Sequence, residues 1–118
     1  MLKRKLDQVS GSERDVRDEG WRSRRLVVAE DGLPYSFHIT VLDRGARLEF
    51  EYARHRETVY CVEGSGTMRD LTAGETFALE PGSLYSAGVG EPHEVVAETD
   101  MTLVCVFDPP LEGTEEAD

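Results

Sequence analysis

Cysteine is scarce in this chain of 118 residues: there are two, Cys61 and Cys105. Each sits inside an apolar run, VYCV and LVCVF. They read as buried, reduced thiols of a cytoplasmic protein rather than as a disulfide framework. Basic residues are few as well, 13 against 24 acidic ones, for a formal net charge of −11. That balance argues against nucleic acid or an anionic membrane as partner. It suits a cytosol of high ionic strength, where self-repulsion is screened, and ordinary acidic solubility explains it equally well. No apolar run approaches the length of a membrane span, and the start MLKRKLDQ has no apolar stretch behind its basic residues. Nothing longer than one turn has helical periodicity.

What the chain has is alternation. Read with period 2, Glu57, Val59 and Cys61 share one strand face, and Thr58, Tyr60 and Val62 share the other. Both faces are apolar enough to expect cover on both sides. A carboxylate on an otherwise apolar face needs a partner, because a bare buried charge is expensive. Further strands are expected over residues 24–30, 35–43, 46–52, 67–71, 75–79, 83–87, 93–98 and 101–107, and an edge strand or helical turn within residues 1–20. In the second of these, Phe37, Ile39 and Val41 oppose Ser36, His38 and Thr40; the polar face either looks into a pocket or is solvated. Eight or nine short strands with Gly and Pro turns predict an all-β domain, a small barrel or two-sheet sandwich. One domain spans residues 1–118, with 108–118 as a mobile acidic tail after Pro109 and Pro110 stop the last strand.

Gly45, Tyr52, His55, Glu57 and Gly64 have the spacing of the first motif of the cupin superfamily. The two histidine positions of that motif hold Glu51 and Ala53, while its glutamate and closing glycine survive. The second motif is matched by Gly74, a slipped Pro81, Gly82 and then Tyr85 where a histidine belongs; His93 follows eight residues later. Glu57, Tyr85 and His93 are therefore candidate metal ligands. On spacing alone they could equally be a surface glutamate, a core tyrosine and a loop histidine. A carboxylate with an imidazole suits Fe(II), Mn(II), Zn(II) or Ni(II).

The chain closely resembles the ectoine synthases. The matching words are RDV at 14–16, WRSRRL at 21–26, SFH with Thr40, VYC.EG.G at 59–66, PG..Y at 81–85, DM.LVCVF at 100–107 and PPL.G at 109–113. The resemblance implies a cupin-type jelly roll, a homodimer and iron at Glu57, Tyr85 and His93. It implies a cyclising dehydration of N-γ-acetyl-L-2,4-diaminobutyrate to ectoine, a compatible solute of osmoprotection. Trp21, Thr40, Cys105, Phe107 and Glu115 match pocket positions of the family, and Tyr52 and His55 stand where acid and base are expected. Where the family has a histidine two residues after the position of Glu115, this chain has Ala117, which predicts a weaker lid over the pocket. The outward faces Phe37, Ile39, Val41 and Tyr60, Val62 independently favour a dimer. A cupin that only binds a small zwitterion, or an iron oxygenase, are the rival readings; the oxygenase's usual ligand set needs two histidines.

Overall fold

A computed structural model describes residues 1–112. Ten strands are present: β1 Asp15–Asp18, β2 Trp21–Val27, β3 Ser36–Leu42, β4 Arg47–Phe50, β5 Arg56–Glu63, β6 Gly66–Asp70, β7 Thr76–Leu79, β8 Leu84–Ala87, β9 His93–Ala97 and β10 Met101–Asp108. One helical turn, α1 Leu6–Val9, precedes them, and a 3₁₀ turn covers Ala29–Asp31. The strands form a six-stranded sheet in the order β1-β2-β3-β10-β5-β8 and a four-stranded sheet in the order β4-β9-β6-β7. All neighbours pair antiparallel. This is the expected all-β, two-sheet cupin-type sandwich.

Alternation decides what lies between the sheets. In β5 Glu57, Val59 and Cys61 are buried; in β10 Met101, Leu103, Cys105 and Phe107 are. Val95 and Ala97 of β9 and Leu79 of β7 meet them from the other sheet. Gly64 lets the chain leave β5 beside β10. Its φ is +88°, and a Cβ there would run into the Asp100 carbonyl oxygen and Met101 Cα. Both the turn and the close approach require glycine.

The N-terminal segment is tied on by charge. Asp31 accepts from Arg14 Nη1 at 2.8 Å, Arg4 Nη1 at 3.1 Å and the Val28 amide at 2.9 Å. Asp15 accepts from Arg22 Nε and Nη2 at 2.9 and 2.8 Å. These hydrogen bonds, to Arg14 and to Arg22 respectively, hold both carboxyls well below the usual carboxylate range against the opposing cost of burial.

Four sequence expectations change. The strand expected over 24–30 begins earlier, at Trp21, and ends at Val27, because β2 follows β1 as an antiparallel hairpin partner and the chain then turns through Ala29–Asp31. Ten strands form among the described residues rather than eight or nine, the edge expected within residues 1–20 being present as β1 beside the turn α1. The outer face of β5 is exposed where cover was expected: Tyr60 is 44% and Val62 49% exposed. The mobile tail expected from residue 108 is not what its first residues form. Asp108 ends β10 in register with Arg56, and Leu111 is a core residue whose amide donates to Ser36 Oγ at 3.2 Å. Glu115 and Ala117, with the lid expectation, lie outside the described residues.

Candidate active site

A cavity of about 550 Å³, counted out to its open mouth, lies on the inner face of the six-stranded sheet. Sheet register explains its lining. Arg25 of β2 pairs with His38 of β3, His38 with Cys105 of β10, Cys105 with Val59 of β5, and Val59 with Tyr85 of β8. One row of residues thus crosses five strands on the inner face. The neighbouring rows carry Ser23 paired with Thr40, and Phe107 paired with Glu57.

Glu57, Tyr85 and His93 come together at one end. The first two belong to the six-stranded sheet; His93 starts β9 in the other sheet, with its ring centroid 5.4 Å from that of Tyr85. His93 Nε2 lies 3.3 Å from Glu57 Oε1, and Nδ1 lies 3.0 Å from the Glu91 carbonyl oxygen. A carbonyl only accepts, so Nδ1 carries the proton and the Nε2 lone pair faces the carboxylate. Two lone-pair centres at 3.3 Å call for a proton or a cation between them. Burial pushes the Glu57 carboxyl up, partly offset by His93. His93 is raised: burial opposes its charge, but the hydrogen bond to Glu57 and the Glu91 carbonyl outweigh it. The Tyr85 phenol is pushed well above its ordinary value by burial and then by Glu57.

The donor set fits a divalent cation. Among the described residues no three His, Cys, Asp or Glu side chains gather as a metal centre; beside Glu57 and His93, the third protein donor to a cation would be the Tyr85 phenol. Glu57 and Tyr85 are both desolvated, and the orienting hydrogen bond on Nδ1 is the kind that metal-ligating histidines carry. At the positions where cupins commonly carry histidines, Glu51 and Ala53 are exposed on the surface.

Of the other expected site residues, Trp21, Thr40, Tyr52, Cys105 and Phe107 all line the cavity. Tyr52 stands edge-on to Phe107 at 5.0 Å. Cys105 Sγ is 3.6 Å from Thr40 Oγ1, and burial drives its thiol far above the ordinary range, so it stays protonated. His55 is set apart. It is half-buried behind Phe107, and its Nδ1 donates to the Pro109 carbonyl at 2.7 Å. His93 opens instead onto a smaller cavity on the far side of Tyr85, beside Asp70 and Glu91. Ser23, Arg25 and His38 complete the lining of the larger cavity. Ser23 and Arg25 were hidden by the polarity of WRSRRL; their signal was period 2 within β2, legible only once the strand starts at Trp21.

Comparison with known proteins gives the family. The family model described as ectoine synthase matches residues 1–118. A curated L-ectoine synthase of Nocardia farcinica is 45% identical over all of this chain and 90% of its own length. The crystal structure of ectoine synthase from P. lautus superposes with a TM-score of 0.92 at 36% identity, covering 98% of this chain and 83% of that one. An RmlC-like cupin from Shewanella frigidimarina, 22% identical with a TM-score of 0.67 over 78% of each chain, shares the fold alone.

Proposed function

We infer, from the premise that the chain belongs to the ectoine synthase family, that it is a hydro-lyase closing N-γ-acetyl-L-2,4-diaminobutyrate to ectoine. The observation that carries this reading is a cavity walled by buried Glu57 and Tyr85, with His93 against Glu57 behind them, in a chain matched along its whole length. In the reaction the free α-amine attacks the acetamide carbon, forming a C–N bond. The tetrahedral adduct then loses its oxygen as water, leaving a cyclic amidine.

Each demand of that chemistry has a residue for it. The substrate must be folded so that amine meets carbonyl, a task for the apolar walls of Trp21, Leu103 and Phe107. The attacking amine must shed protons and the departing oxygen must gain them. Tyr52 touches the cavity and His55 stands behind Phe107, so Tyr52 is the one of the two in reach of the substrate, with His55 acting from outside the wall. Glu57, Tyr85 and His93 would hold a divalent cation, Fe(II) by family resemblance, which when bound supplies Lewis-acid polarisation of the amide oxygen.

A homodimer completes the proposal. Tyr60, Val62 and Leu84 on the outer face of β5 and β8 are 44, 49 and 55% exposed, and Phe37, Ile39 and Val41 of β3 continue that face, half-buried. A second copy would cover them. Light scattering at micromolar protein should give a dimeric mass, and Tyr60→Lys with Val62→Lys should give a monomeric one; a monomeric wild type would refute the pairing. No helix among the described residues is long and apolar enough to cross a membrane. A cytoplasmic place and an osmoprotective role fit the acidic surface.

The deciding experiment supplies the acetylated diamine to purified protein, with and without Fe(II), and looks for the cyclic amidine by NMR. Amidine formed faster with added Fe(II) supports both parts. Amidine in neither sample, at full metal content, overturns the synthase reading in favour of a cupin that only binds a small zwitterion.

A further inference from the structure

We propose that Ser23 is a positioning residue that holds His38 in its Nε2–H tautomer, so that the β2–β3 wall offers an N–H donor to the substrate carboxylate. The tautomer stands on geometry alone, and only the choice of the carboxylate rests on the proposed reaction.

A serine hydroxyl has one proton and two lone pairs. Around Ser23 Oγ, Arg25 Nε donates from 3.3 Å and Thr40 Oγ1 from 3.4 Å. Thr40 is free to donate in that direction because its own oxygen accepts from the Cys105 thiol at 3.6 Å. Both lone pairs of Ser23 are then used. Its proton is left for the remaining neighbour, His38 Nδ1, at 3.5 Å. Nδ1 accepts, and the ring proton sits on Nε2. The reverse tautomer would put an N–H against an oxygen with no lone pair to give.

The far end of the ring is where this matters. Nε2 is buried with no hydrogen-bond partner among the described residues, and His38 lines the cavity. A buried N–H left unmade is costly, so a ligand oxygen there gains what the empty wall lacks. Burial, and then the charge of Arg25, lower the His38 pKa to about 3. Near neutral pH the choice is therefore between two neutral tautomers, not between neutral and charged. The hydrogen bonds in the series are long, and an acceptor on Nε2 would draw them tight, since each donor polarises the next.

The chemistry of the acceptor follows from the neighbours. Arg25 is 3% exposed and pairs with His38 across β2 and β3, so the wall combines a fixed cation with a neutral donor. A neutral N–H donor there takes an oxygen acceptor and offers nothing to an ammonium. The carboxylate is the substrate's only anion. The acetamide oxygen belongs at the opposite end, with Glu57, Tyr85 and His93. From β3 to β8 is three strand steps, about 14 Å between backbones at roughly 4.8 Å per step, with side chains reaching inward from both ends.

Long-range ¹H–¹⁵N NMR of the metal-free full chain reads the tautomer directly. The His38 ring should give a protonated Nε2 and an acceptor-type Nδ1, unchanged from pH 5.5 to 8.5. Ser23→Ala should mix or invert the pattern and raise KM about tenfold with kcat within about twofold, as loss of uniform binding requires. Ser23→Thr, which keeps the hydroxyl, should restore both. For substrate with its carboxylate converted to a primary amide, Ser23→Ala should change KM little. The proposal is overturned if wild-type His38 is protonated at Nδ1, or if Ser23→Ala moves neither spectrum nor KM. Amidine formation with an Nδ1–H ring would sink the inference and spare the synthase; an Nε2–H ring that responds to Ser23→Ala in a protein that makes no amidine would do the opposite.

Discussion

Glu57 is buried and Asp31 half-buried, and their carboxyls are shifted in opposite directions. Asp31 sits between two guanidinium groups and a backbone amide, and its carboxyl is held low. Glu57 faces an imidazole across 3.3 Å and a phenol in the adjoining row, and its carboxyl is pushed up. Asp31 is a satisfied anion that fastens the N-terminal segment onto the 3₁₀ turn. Glu57 is a carboxyl whose ionisation burial makes costly, and it opens on a cavity. A buried charge that its surroundings do not satisfy is where a ligand, proton or cation has something to gain.

The largest effect expected from this contrast is a separation of turnover from stability. Glu57→Ala or His93→Ala should abolish metal uptake and cut cyclisation by about 10³-fold or more, roughly 4 kcal/mol of barrier. The metal-free protein should melt no lower with Glu57→Gln, since a costly buried charge has been removed. Metal analysis, amidine assay and calorimetry on the same preparations check this. Full metal content in both alanine variants would remove these residues from the centre.

Much of that contrast was legible in the sequence, and the reasons differ by residue. Glu57 stood out because period 2 put it among Val59 and Cys61. Tyr85 and His93 were found through glycine and proline spacing, which fixes turns and hence which strands face each other. Asp31 lies between Glu30 and Gly32 with nothing in the local pattern to mark it. Its role depends on Arg4 and Arg14, 27 and 17 positions away, and no local pattern carries that distance. His55 was the reverse case: two residues before Glu57, it is expected at the same site, and its ring lies behind Phe107 with Nδ1 donating to Pro109.

Next in size is the stability that Asp31 supplies. Asp31→Asn removes a charge from two guanidinium partners and should cost about 2 kcal/mol, or about 8 °C in Tm for a domain of this size, with kcat unchanged. The sign of its pH dependence is fixed. A carboxyl whose folded pKa lies below its unfolded value, about 3.9, stabilises the protein above that value and ceases to do so as pH falls through it toward the folded pKa. The wild-type advantage over Asp31→Asn should therefore be constant from pH 7 to about 5 and close below about 4. A gap that stays open in acid would mean that Asp31 acts by packing and not by charge.

The smallest effect tests whether exposure or distance makes the contrast. Glu30 Oε1 lies 2.7 Å from Arg14 Nη2, nearer than the 2.8 Å between Asp31 and the same guanidinium. On distance alone Glu30 is the stronger partner. Its side chain, however, is 67% exposed and that of Asp31 is 9%. Water and salt screen the first pair, and a long side chain loses rotamer freedom to form it, so exposed pairs of this kind give about 0.5 kcal/mol or less. Asp31 keeps its interactions in a poorer solvent and answers a backbone donor as well. Glu30→Ala should shift Tm by no more than about 2 °C, and that small shift should vanish in 0.5 M salt while the loss from Asp31→Asn persists. Equal losses in the two variants would show that Arg14, and not the burial of its partner, governs this region, and the opposition between Asp31 and Glu57 would then need another cause.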